Sequence, residues 1–299
     1  MDQLKIGDIV GRKSYGCDVL FKVVNISEAN GARIVTLKGI SYRIEADAPE
    51  NDLELQPEQK VAEYRNKCMR LAEGPEKQPA RRDNFRARYP VYSKKALYRN
   101  TANEKTVDLK RPGTVLHIDG DPDYLETCIN EYRKIGLNVT GKYVPEKDQA
   151  SAVVQLLQEY RPDILVLTGH DGFIKGSNNY TDLSSYRNSG YFVKAVTASR
   201  RYNSDLDSLV IFAGACQSMY SEILKAGANF ASAPNRALIH ALDPVRVCQK
   251  VAYTGISSIV EPAEVIGNTI SGKEGIGGIQ TRGKYREGSP QDHYISGLI

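Results

Sequence analysis

Tryptophan is missing from the 299 residues, and methionine (3), histidine (4), cysteine (5) and phenylalanine (6) are scarce. Each shortage narrows what the chain can be. The five cysteines, Cys17, Cys68, Cys128, Cys216 and Cys248, are odd in number, widely scattered and never in a CxxC pair. Such spacing argues against a disulfide framework and against a zinc site. His117, His170, His240 and His293 leave few candidates for imidazole chemistry. No apolar run approaches the roughly 18 residues that span a bilayer. The opening MDQLKIGDIVGRKSYG also lacks the apolar core of a secretory signal. These absences lead us to expect a protein used inside the cell, with no membrane partner, no metal and no cofactor.

What is present is ordinary in bulk and uneven in detail. A hydrophobic share of 41% with 25% charged residues fits a globular chain, and the length suits one large domain plus a small one. The net charge of +4 is not evenly spread. Residues 1–56 carry 7 basic and 9 acidic side chains and residues 113–299 carry 18 and 20, whereas residues 57–112 carry 15 against 7.

Three regions follow. Residues 1–56 read as a small β module, with strands expected near 6–10, 18–26, 32–37 and 41–44 and with Gly11, Gly16, Gly31 and Gly39 as turns. The run IGDIVGRKSYGCDVLFKVV resembles the start of an SH3-like barrel. Residues 57–112 begin with a helix-forming stretch at 59–72 and continue through Pro75, Pro79 and Pro90 among clustered arginines. Such a composition reads as an exposed, basic linker. Interleaved Phe85, Tyr89, Tyr92 and Tyr98 raise a nucleic-acid reading, but no RNA-binding spacing accompanies them, and a nucleic-acid partner is not expected.

From Gly113 onward strands and helices alternate, the mark of a mostly parallel α/β sheet with flanking helices. Strands are expected at 114–119, 137–144, 163–169 and 209–214, with short strand-like pieces at 229–233 and 237–241. Helices are expected at 122–135 (capped by Asp121), 149–160, 183–202, 217–226, 244–253 and 263–269. Residues 275–283, GIGGIQTRG, read as turns.

Two strands end on reactive side chains. DILVLTGHDG delivers His170, and LVIFAGACQS delivers Cys216, each next to small residues. At the carboxyl ends of parallel strands such side chains point into the crevice where ligands bind. A thiol attacks an acyl carbon as thiolate, and an imidazole is the natural acceptor of its proton. A helix starting at Gln217 would add its positive end, and the backbone N–H groups of Cys216, Asp171 and Gly172 would hold the oxyanion. The plainer reading makes Cys216 a buried strand-end cysteine and His170 a satisfied polar residue. A rival site joins Cys216 to His240 and Asp243, as in amidohydrolases, although Ser218 stands where their nucleophile turn has glycine. The run His117-Ile118-Asp119-Gly120-Asp121-Pro122-Asp123 has carboxylates at alternate positions. It reads as turn and helix-cap chemistry, as half a calcium loop without its distal Glu, or as an acidic pocket for a basic substrate. In the last case Asp119, Asp121 or Asp243 supplies the charge, and Arg81, Arg82, Arg86 and Arg88 become self-cleavage sites in the linker.

The order strand–His, then strand–Ala–Cys after 46 residues, resembles the caspase-type layout shared with legumain, gingipain and separase. Those families place glycine directly after the histidine, where this chain has Asp171. A wider likeness runs through IGDIVGRKSY, VLHIDGDPDYL, YRPDILVLTGHD, LVIFAGACQS, AGANFASAPNRALIHALDP and EGIGGIQTRG. Together these blocks resemble the YabG family of sporulation-specific proteases. That resemblance implies a caspase-like cysteine endopeptidase that processes spore coat and cortex-associated proteins. It also implies work in the mother-cell cytoplasm and at the forespore surface or coat. A spore-coat scaffold or an RNA-binding module is the alternative from another class.

Overall fold

The computed structural model describes residues 3–29, 31–73, 109–174 and 176–288. At the N-terminus, β1 (Ile9–Arg12), β2 (Leu20–Ala29), β3 (Ala32–Gly39), β4 (Glu45–Pro49) and β5 (Leu53–Leu55) form an antiparallel five-stranded sheet in the order β4-β3-β2-β1-β5. Alternation sets its inner face: Val10, Phe21, Val23, Val35, Leu37, Ala48 and Leu53 share one small core. A bulge between Val23 and Asn25 shifts the β2–β3 register. Helix α1 (Glu58–Glu73) follows, with Val61 and Cys68 buried two turns apart. A strand expected at 41–44 is instead a tight turn, because those backbone groups are used elsewhere: Tyr42 bridges His240, Ala241 N–H donates to Ser41 O, and Arg43 N–H donates to Ile239 O.

The larger layer is built on β7 (Val115–Asp119), β8 (Val139–Tyr143), β9 (Ile164–Thr168), β10 (Val210–Ala213), β11 (Phe230–Ser232) and β13 (Ile276–Gly278). Their order is β13-β11-β10-β9-β7-β8; β13 runs antiparallel and the rest are parallel. Strands β7, β9 and β10 are buried on both faces, as parallel strands between helices must be. On one face Val115, Ile164, Val166, Val210 and Phe212 meet α2 (Pro122–Lys134) and α6 (Asp243–Tyr253). On the other, Leu116, Ile118, Leu165, Leu167 and Ile211 meet α3 (Glu146–Tyr160) and α4 (Ser189–Tyr202). Each such side chain contributes roughly 1.5–3 kcal/mol on burial. The fold is mixed α/β, with a mostly parallel sheet between helices beside an antiparallel one.

Three expectations change at the edges of elements. Residues 186–188 break the long helix expected at 183–202, so that α4 starts at Ser189. The helix expected from Gln217 starts only at Tyr220 as α5 (Tyr220–Lys225), since Gln217 takes a left-handed φ of 59° that no helix accommodates. The turn-like stretch after Gly275 contributes β13 and β14 (Thr281–Arg282), which pairs with β12 (Ile259–Val260), and a short strand β6 (Leu109–Arg111) pairs with β15 (Arg286–Gly288). Arg81, Arg82, Arg86 and Arg88 lie outside the described residues.

The two sheets meet at the carboxyl edge of the larger one. Arg43, wholly buried, reaches the equally buried Asp119 at 2.7 Å, and its guanidinium also reaches Cys128 Sγ and Ala241 O. Lys38 of β3 reaches Asp121 and Asp123, and Tyr124 donates its hydroxyl to Gly39 O and Tyr42 O. Removing one partner of a buried ion pair leaves an uncompensated charge, so Arg43→Met should lose about 3–5 kcal/mol of stability. Denaturant unfolding should recover part of that loss when Asp119→Asn is added. A single Arg43→Met variant as stable as the wild type would contradict the pairing.

Candidate active site

The register of β9 on β10 decides where the two reactive residues emerge. Leu167 stands opposite Ala213, and Gly214 N–H still donates to Leu167 O. His170 and Cys216 each follow three residues after that pair, just beyond the ends of neighbouring strands. Gly214, with a φ of 109°, turns the chain where a side chain would be strained. Gly169 is required for a different reason. A Cβ there would run into the Glu146 side chain, whose carboxylate accepts the His170 N–H at 2.7 Å.

The imidazole is held at one nitrogen. His170 Nε2 lies 2.7 Å from Asp121 Oδ2 and 3.6 Å from Glu45 Oε1, with the ring 5.5 Å from that of Tyr124. Its Nδ1 is buried and has no hydrogen-bond partner among the described residues. Asn188 Nδ2 donates to the His170 carbonyl, fixing the backbone from the other side. Asp121 caps α2 as expected, accepting the N–H groups of Asp123 and Tyr124. Hydrogen bonds from His170, Lys38 and Tyr124 outweigh its burial and hold its carboxyl down to about 2. Asp119 is held lower still by Arg43 and His117 against its own desolvation.

Asp171 is a brace. Its carboxylate accepts Gly172 N–H and Asn188 N–H at 2.8 Å each, the Ser218 hydroxyl at 2.8 Å, and the Ser189 hydroxyl. Ser218 in turn accepts Ala215 N–H, and Ser189 Oγ accepts Met219 N–H. The loop after His170, the turn after Cys216 and the first turn of α4 are thus tied to one carboxylate. Burial pushes that carboxyl up from its ordinary value despite the four donors. This chain uses the Asp171 side chain to join its two loops.

Cys216 is fully buried, its Sγ accepting Ile239 N–H at 3.0 Å. Burial pushes the thiol up to about 12, while the Ile239 N–H and Arg43 pull the other way. No hydrogen bond joins Cys216 to His170 among the described residues. The expected helix-dipole support is weak, because α5 starts four residues later. Of the expected oxyanion donors, Gly172 N–H is spent on Asp171, whereas the N–H groups of Cys216 and Asp171 make no hydrogen bond among the described residues.

The rival site is not assembled in the same way. Asp243 spends its carboxylate on the backbone N–H groups of His240, Ile270 and Ser271, and His240 Nδ1 accepts Leu242 N–H. Asp119, Asp121 and Asp243 therefore offer no open carboxylate to a basic substrate: the first two are paired with Arg43 and Lys38. Sequence reasoning missed Lys38, Arg43, Glu146 and Ser189. Of these, Lys38 and Arg43 sit about eighty residues from their partners, and no motif signals such a contact.

A buried thiol and a braced imidazole on adjacent strand ends fit a hydrolase site. The family described as YabG peptidase U57 matches residues 5–290, and the chain belongs to that family. It is 41% identical over 292 residues to the sporulation-specific protease YabG of Bacillus subtilis (strain 168), covering 96% of this chain and 98% of that protein. The chain is thus a peptidase of a sporulation protease family. A solved structure of the Salmonella typhimurium RcsB response regulator overlaps 40% of this chain and 50% of its own. At 16% identity and a TM-score of 0.26 that overlap carries no argument. Among the described residues no helix is long and apolar enough to cross a membrane.

A carboxyl held at about 2 rather than 3.8 stabilises the fold above pH 4, and that contribution is lost as the pH falls toward 2. Unfolding free energies measured across that window should therefore fall by about 2 kcal/mol more in the wild type than in Asp121→Asn. Parallel curves for the two proteins would contradict the role given to Asp121.

Proposed function

We propose that the chain is a cysteine endopeptidase with Cys216 as nucleophile and His170 as base. The observation that carries this reading is that both residues come three positions after the last paired residues of neighbouring parallel strands, Leu167 and Ala213. That is the edge where open α/β sheets bind ligands. In the first step Sγ–H gives its proton to His170 Nδ1, and the thiolate attacks the peptide carbonyl carbon. The carbonyl electron pair moves onto oxygen, which the N–H groups of Cys216 and Asp171 stabilise. Collapse breaks the C–N bond, and the leaving nitrogen takes the proton from the imidazolium. Water then hydrolyses the thioester by the same base.

Burial of the thiol under Ile239 makes this resting arrangement a closed one, and motion of that segment exposes the thiol before it ionises. The left-handed φ of Gln217 supports the reading, because strained residues cluster at active sites. The sheet order supports a caspase-like peptidase domain at 113–299. The small antiparallel sheet supports an SH3-like reading of residues 1–56, with 57–112 as the linker. Spore coat and cortex-associated proteins are the proposed substrates, met in the mother-cell cytoplasm and at the forespore surface. Cleavage after basic residues would rest on Glu45, whose side chain is a third exposed beside His170, and self-cleavage would fall at Arg81, Arg82, Arg86 or Arg88.

Incubating the purified chain with fluorescein-labelled casein, then sequencing the N-termini of its own fragments, tests both parts. Cys216→Ala and His170→Ala should each lose about 10³-fold or more in turnover, with His240→Ala within a few-fold of wild type. Turnover retained in His170→Ala would move the base elsewhere. Wild-type chain that stays intact while cleaving casein would remove self-cleavage.

A further inference from the structure

The proposed reaction uses only one nitrogen of His170. The other is occupied by a group that the dyad reading leaves without a role. We infer that Asp121 is a positioning residue for catalysis: its carboxylate holds the His170 proton on Nε2 and so leaves Nδ1 as the acceptor for the thiol proton. This inference rests on the dyad reading and deepens it.

The geometry allows Asp121 little choice. Its Oδ1 is fixed as the helix cap, accepting Asp123 N–H at 2.9 Å and Tyr124 N–H at 3.0 Å, and Lys38 Nζ spans the carboxylate, 2.7 Å from Oδ1 and 2.5 Å from Oδ2. That fixes the rotation of the carboxylate and directs Oδ2 to His170 Nε2 at 2.7 Å. An ionised carboxylate only accepts hydrogen bonds, so the proton between them belongs to the imidazole. Lys38 keeps the carboxylate charged. The Tyr124 ring at 5.5 Å and the Glu146 carboxylate on the His170 N–H limit how far the imidazole can swing. Nδ1, buried and without a partner among the described residues, is then the one basic atom left on the ring. Lys38 belongs to the N-terminal sheet, so the small module completes the site of the large one.

The same cap makes the inference testable. In Asp121→Asn the side-chain oxygen stays with the helix N–H groups and Lys38 Nζ, which also keeps Asp123, and the NH₂ takes the place of Oδ2. It then donates to Nε2, which forces the proton onto Nδ1, where it blocks acceptance from the thiol. Asp121→Ser also caps a helix but does not reach His170, so neither tautomer is enforced. On labelled casein, Asp121→Asn should lose about 10²–10⁴-fold in kcat with KM little changed, and Asp121→Ser only about 10-fold. Nitrogen-15 NMR of the imidazole should show Nε2–H in the wild type, Nδ1–H in Asp121→Asn and a mixture in Asp121→Ser. A merely structural Asp121 would give the reverse order, because Asn is the closer isostere. Asn equal to or milder than Ser, or Nε2–H in all three proteins, overturns the inference. Should Asp121→Asn not fold, unchanged kcat in Asp121→Ser overturns it alone. Cys216→Ala and His170→Ala run alongside separate the two levels. Inactive controls beside a fully active Asp121→Asn remove only this inference, whereas turnover in either control removes the dyad and the inference with it.

Discussion

The pairing of Arg43 with Asp119 is the constraint on which the rest of the site depends. Both groups are without exposed surface, and neither stays charged there without the other. Arg43 stands in the turn whose backbone bonds to residues 239 and 241, so the pair also fixes the segment above Cys216. Two residues on from Asp119, Asp121 receives Lys38 from the same sheet and passes the constraint to His170. The small sheet thus sets the charge and position of groups on the large one. Both ends of the proposed dyad trace back to one polar seam between them.

Local chemistry explains why some of this was legible in the sequence. The strands ending at Asp119, Thr168 and Ala213 are apolar runs of strand length, and they lie within a residue or two of where the sequence set them. Asp121 was recognisable as a cap because Asp before Pro at a helix start satisfies free N–H groups whatever the tertiary fold. Residues 41–44 carry a β-like composition but spend their backbone on a distant segment, and residues 237–241 shrink to a single bridge for the same reason. The helix at Gln217 failed where the chain turns sharply after Cys216, a place where local propensity gives way to the site. Lys38 and Arg43 carried no signal. A lone cation on a strand is read as solvated until its partner is brought to it.

Asp171 illustrates the same limit from another side. By sequence it stands where caspase-type families have glycine, and only its backbone N–H is given a role. In the structure it gathers donors from both loops and from α4, holding the turns after His170 and Cys216 together through Ser218. It also consumes Gly172 N–H, leaving those of Cys216 and Asp171 as the proposed oxyanion donors. Asp171 thus spends one backbone donor to hold the two strand ends together, as a preorganised site on packed elements requires.

Cys216 remains under two opposed influences. Burial pushes its thiol up to about 12, as it does those of Cys128 and Cys248, yet of the three only Cys216 follows the strand next to the one that leads to His170. The three cysteines therefore form an internal comparison in one molecule. Mass-spectrometric counting of iodoacetamide adducts on each, as a function of pH in the folded protein, is the direct measurement. Cys216 should be alkylated near neutral pH in a His170-dependent way while Cys128 and Cys248 stay unmodified. Equal inertness of all three, or alkylation of Cys216 that is unchanged in His170→Ala, would make Cys216 a core cysteine and contradict the dyad.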